Sequence, residues 1–176
     1  MSIRLAVLAF ALLPITASAQ EVTLKLHHFL PAAGIEHRGY IEPWAKRIEA
    51  ASGGRIKIGV YPSMQLGGKA PQLYDQTRDG VVDIAWTVAG YTPGRFPRLE
   101  AFELPFVASD KGEITSRALW DYAASDAAGE LGEVKVLAVF AHGKGNLFVK
   151  DKKVVKPADI AGIKIRVPSR TVNDTL

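Results

Sequence analysis

The chain has 176 residues, 48% of them hydrophobic and 23% charged, with a formal net charge of +4. This is the composition of an ordinary globular chain with enough apolar material for a core. It contains no cysteine, which removes disulfides, thiolate metal sites, cysteine nucleophiles and cysteine-linked lipid anchors together.

In chain order, the first element is an export signal. Arg4 precedes an apolar run from Leu5 to Ile15, and Ala17-Ser18-Ala19 supplies small residues at a cleavage site. Residues 1–19 therefore read as a signal peptide cleaved after Ala19, too short to span a bilayer, which needs roughly twenty apolar residues. The mature protein is expected to be soluble in the periplasm. Val22–His28 alternates apolar and polar side chains, the period of a strand. From Gly34 to Ser52, Tyr40, Ile41, Trp44, Ala45, Ile48 and Ala51 recur at helical spacing, with Pro43 marking a start or a kink and Gly53-Gly54 the stop. Arg55–Tyr61 is a second alternating strand, Pro62–Gly68 a loop, and Lys69–Asp79 a short helix ended by Gly80. Val81–Trp86 reads as a short buried strand in which Asp83 serves a structural hydrogen bond. Asp110 and Glu113 match a capping box opening a helix with Ile114, Ala118, Leu119 and Tyr122 on one face.

Val134–Ala141 is nearly all apolar, the pattern of a central strand covered on both faces. Leu147–Lys150 and Ile163–Val167 read as two more strands, with a helical turn at Pro157–Ile160 between them. Ser169 resembles the cap of a new helix, and the chain stops a few residues later, so it is expected to be a fragment. Alternation of this kind predicts an α/β domain with a mostly parallel sheet. The densest basic group, Lys150, Lys152, Lys153 and Lys156, is broken by Asp151 and two valines. It reads as a solvated hairpin rather than a nucleic-acid surface.

Catalytic signatures are missing. None of His27, His28, His37 and His142 stands at a metal-ligand spacing, and His27 and His28, adjacent on a strand, face opposite sides. No nucleophile elbow, phosphate loop or dinucleotide fingerprint occurs. Gly143-Lys144-Gly145 follows one apparent strand and precedes another, where a phosphate cradle needs a helix N-terminus. No enzyme activity, metal or cofactor is expected.

Two segments carry the positive signal. The first is Gln65-Leu-Gly-Gly68 leading to Leu73-Tyr-Asp-Gln76 and then Asp79-Gly80-Val-Val-Asp83-Ile-Ala-Trp86. The second is Lys156-Pro-Ala-Asp159-Ile-Ala-Gly162-Ile-Lys-Ile-Arg166-Val-Pro168-Ser169. Together they resemble the DctP family, the solute-binding proteins of tripartite ATP-independent periplasmic (TRAP) transporters. The resemblance covers the mature chain, residues 20–176, and about the N-terminal half of a family member. It implies a two-lobed, periplasmic-binding-protein-like α/β fold, of which this chain supplies mainly the first lobe and the start of the second. It also implies a receptor that closes over a small organic acid and hands it to small and large membrane subunits for sodium- or proton-driven uptake.

By the same resemblance, Arg166 grips the ligand carboxylate. The alternation of Ile163, Ile165 and Val167 against Lys164 and Arg166 lets the strand bury its isoleucines while Arg166 faces the cleft. Some members, notably those for sialic acid, carry a second arginine where this chain has Asn146, which counts against a doubly acidic ligand unless Lys144 or His142 compensates. Phe29, Trp86 and Thr87 lie where the family lines its pocket. Without its second lobe the chain alone is expected to bind poorly. The competing readings are a binding protein of an ATP-driven transporter and a secreted hydrolase.

Overall fold

The computed structural model describes residues 22–175 apart from 105, 127, 128 and 144. The expected signal peptide and Lys144 lie outside the described residues. Strands β1 (Val22–His28), β2 (Ile56–Tyr61) and β3 (Ile84–Trp86) form a parallel sheet in the order β2-β1-β3. Val22 pairs with Ile56 and His27 with Tyr61 on one side of β1, and Leu26 with Ile84 and His28 with Trp86 on the other. The alternation of β1 does what its period requires. Leu24 and Leu26 join the core beneath helix α1 (Glu42–Ala51), where Ile41, Ala45 and Ile58 are also buried. His27 turns to the opposite face and meets helix α2 (Leu73–Arg78). Each fully buried aliphatic side chain here stabilises the fold by about 1.5–3 kcal/mol.

Pro43 sits in the first turn of α1, after a wider π-type turn at His37–Ile41, so it marks the start of the regular helix rather than a kink within it. Gly53 and Gly54 end the helix with φ of 63° and 80°. Asp83 does serve the sheet: its carboxylate accepts the Lys25 N–H at 2.8 Å, and its own N–H donates to the Lys25 carbonyl at 3.1 Å.

A second core joins α2 to helices α3 (Pro97–Glu100) and α4 (Gly112–Asp126) through Tyr74, Phe96, Leu99 and Leu119. The buried face of α4 differs from the predicted one. Ile114 is 54% exposed, and the inward line runs Thr115, Leu119, Tyr122. Arg95 clamps this core from outside. Its guanidinium lies 4.2 Å from the centre of the Tyr74 ring and pairs with Asp75 at 2.6 Å.

The larger difference concerns the three later strands. Val134–Ala141 forms no strand, with Val134 and Val139 packed on the second core and Leu137 and Phe140 57% and 52% exposed. Leu147–Lys150 and Ile163–Val167 form no strand either, and none of the three joins the sheet. The central strand is β1. An apolar run reports a tendency to be covered, whereas a strand also needs a neighbour for its amides and carbonyls. At Ala141 that role falls to a side chain: the Ser116 hydroxyl accepts its N–H at 2.9 Å. The alternation at Ile163–Val167 is nonetheless present, with Ile163, Ile165 and Val167 half-buried and Lys164 and Arg166 exposed. Pro157–Ile160 forms its helical turn, and Ser169 precedes helix α5 (Arg170–Thr175).

Candidate ligand-binding recess at the strand ends

The chain leaves β1 for β2 on one side and returns to β3 on the other. Open parallel sheets bind ligands beyond the carboxyl ends of strands at such a reversal. Here that place lies beyond His28 and Trp86, where Phe29 and Thr87 continue their strands. The loop after β2 fixes the backbone around Phe29. Ser63 and Met64 donate their N–H groups to the carbonyls of Leu30 (2.9 Å) and His28 (3.0 Å), and both residues adopt positive φ, 53° and 58°. Strain of this sort persists only where the surroundings hold it.

The Gln65–Gly68 motif is part of that support. His27, fully buried, donates from Nδ1 to the Gln76 side-chain oxygen at 2.8 Å and accepts the Leu66 N–H at Nε2, 3.3 Å away. Gln76 in turn donates to the Gly67 carbonyl at 3.1 Å. Gly68 has φ of 84°, and a Cβ there would lie 2.7 Å from the Gln76 amide. The motif thus works as a buried polar clamp on the loop.

His28 makes a different chain on the other face. Its Nε2 lies 2.9 Å from Nδ1 of His37, and His37 Nε2 lies 3.2 Å from the Glu42 carboxylate. A carboxylate only accepts, so His37 donates from Nε2, accepts at Nδ1, and takes its hydrogen bond from His28 Nε2–H. His28 Nδ1 is then a buried acceptor with no hydrogen-bonded donor. Burial, followed by the charges of His37 and His27, pushes the His28 pKa down to about 4.

A recess of about 640 Å³ opens between the turn at Ala89–Tyr91 and the segment Arg166–Asn173. Phe29 and Tyr91 form an edge-to-face pair on its wall, ring centres 5.2 Å apart. Arg166, Arg170 and Asn173 line the side facing them. Gly90 lets this wall close up, since a Cβ there would overlap the Glu103 carboxylate.

Of the residues singled out from sequence, Phe29 and Arg166 meet here. Trp86 instead meets Tyr40 edge-to-face (5.5 Å) and Phe140 at a tilt (4.8 Å) against the first core, and Thr87 is half-buried beside it. His142 and Asn146 are exposed and do not line the recess; His142 Nδ1 donates to the Gly143 carbonyl at 2.6 Å. Tyr91, Arg170 and Asn173 were not foreseen. Tyr91 stands in an unmarked Gly-Tyr-Thr turn, and the other two enter through the docking of α5 on that turn.

The chain resembles known proteins along most of its length. Residues 26–176 match the family model DctP, described as bacterial extracellular solute-binding protein, family 7. A marine metagenome TRAP solute-binding protein specific for aromatic acid ligands, solved with 3-hydroxybenzoate, is 52% identical and superimposes with a TM-score of 0.84, covering 88% of this chain and 48% of that one. A TRAP solute-binding protein from Rhodoferax ferrireducens, solved with copurified benzoate, is 47% identical with a TM-score of 0.83, covering 87% and 47%. Among curated proteins, the outer membrane transporter protein TsaT of Comamonas testosteroni is 36% identical over 140 residues, 78% of this chain and 40% of that protein. The chain thus spans about half the length of the two solved structures and less of the curated relative. Over that length its α/β fold is that of the two-lobed TRAP solute-binding proteins. The chain belongs to the DctP family of bacterial extracellular solute-binding proteins.

Proposed function

We propose that the full-length protein is the periplasmic receptor of a TRAP transporter and captures an aromatic carboxylate. The observation that carries this reading is the meeting of Arg166 with the Phe29–Tyr91 pair in one recess. A planar guanidinium fork can hold both oxygens of a carboxylate through charge-assisted hydrogen bonds. The two aromatic edges offer a wall against which a ring packs favourably. The aromatic acids bound by the two solved relatives support the same ligand class.

In this reading residues 1–19 direct export and residues 20–176 are the N-terminal portion of the binding domain. The lobes close over the ligand by hinge motion. The ligand leaves chemically unchanged, passed to the small and large membrane subunits.

Calorimetric titration of the full-length protein with benzoate and benzamide tests this directly. Benzoate is expected to bind about 100-fold tighter, because the neutral amide leaves Arg166 without its counter-charge. Equal affinities, or turnover of an ester or glycoside panel, would count against a carboxylate receptor.

A further inference from the structure

We propose that the recess takes an aromatic acid bearing a second carboxylate, and that Arg170 is the residue that reads this second group. The inference rests on the aromatic-carboxylate reading above and narrows it. Arg166 and Arg170 line the same recess, and none of the described residues lining it is acidic. A ligand with one carboxylate compensates one of these two charges. A dianion compensates both, and each guanidinium can offer it paired hydrogen bonds.

Asn173 stands three residues after Arg170 on α5 and also lines the recess. Residues at that spacing share a helix face, so one side of α5 presents a cation and an amide together. α5 packs against the Ala89–Tyr91 turn, so that face shares the recess with Tyr91 and Phe29.

The competing partner is Asp174. It meets Arg170 Nε at 3.6 Å, with both side chains largely exposed, and accepts a hydrogen bond from the Asn173 amide at 3.2 Å. An exposed pair at that separation is screened by solvent and readily gives way to a desolvated anion. Asn146 does not line the recess, and Arg170 is its second positive charge beside Arg166.

The test titrates the full-length protein with benzoate, 3-hydroxybenzoate and the three benzenedicarboxylates, then repeats the series on Arg170→Gln. One dicarboxylate isomer is expected to bind about tenfold tighter than benzoate. Arg170→Gln is expected to abolish that preference, so that in this variant the best dicarboxylate binds no tighter than benzoate. If benzoate or 3-hydroxybenzoate binds and every dicarboxylate binds no better, the inference is wrong while the broader reading stands. Survival of the preference in Arg170→Gln would also overturn it. Failure of all these acids to bind would overturn the broader reading and this one with it.

Discussion

Acidification from pH 6.5 to below pH 4 is expected to cost the folded protein about 3 kcal/mol through one side chain, His28. The ring has no solvent exposure, and its pKa is pushed down to about 4. Above pH 6.5 the imidazole is neutral in both folded and unfolded chains, so its contribution is complete. As the pH falls from 6.5 towards 4, the unfolded chain binds a proton that the folded one refuses, and stability declines. Below about 4 both forms are charged and the loss is finished. Burial of the ring accounts for most of the refusal, and the charges of His37 and His27 add to it. His28 Nε2 and His37 Nδ1, 2.9 Å apart, share one proton, and His37 Nε2 gives its own to Glu42. A further proton must enter at the buried Nδ1 of His28 or set two N–H groups against each other. Histidine side-chain NMR titration of the full-length protein should show one ring staying neutral until about pH 4. A His28 ring titrating near 6.5 would show that the ring is not buried in this way in solution.

The second large effect concerns Arg166. Arg166→Ala in the full-length protein should weaken binding of its aromatic acid by about 2–5 kcal/mol, because a desolvated carboxylate loses its counter-charge. Thermal stability of the unliganded variant should change little, since the side chain is exposed in the open recess. That combination separates a ligand contact from a structural one. Unchanged affinity by calorimetry would remove Arg166 from the site.

Parts of this were legible in the sequence because local period and tertiary role coincide. In Val22–His28, apolar and polar residues alternate, and the structure sends Leu24 and Leu26 to one core and His27 to the opposite face. Ile163, Ile165 and Val167 kept their inward face even without a ladder, leaving Arg166 outward as its motif implied. Other features depend on partners that a linear pattern does not carry. Val134–Ala141 has the composition of a covered strand, yet Phe140 ends against Trp86 with half its surface exposed. Tyr91 and Arg170 are ordinary residues of a turn and a short helix until α5 docks and sets them in one recess. The link between His28 and His37 spans nine residues and joins a strand end to a helix entry, so neither element announces it alone.

Within the two segments that carried the family resemblance, Gln65–Gly68 and Asp159–Gly162 are scaffolding. One is clamped by His27 and Gln76. In the other, the Asp159 carboxylate accepts the N–H groups of Val155 and Lys156 at 3.0 and 3.1 Å, and Gly162 turns at φ of 77°. They identify the fold so well because the backbone geometry they fix leaves few alternatives. In the proposed function the ligand is read by Phe29, which precedes both, and by Tyr91 and Arg166.

The most direct measurement is a crystal structure of the full-length protein with benzoate bound. The account predicts the carboxylate paired with the Arg166 guanidinium at about 2.9 Å and the ring packed against Phe29 and Tyr91. A carboxylate bound elsewhere, with Arg166 turned to solvent, would contradict it.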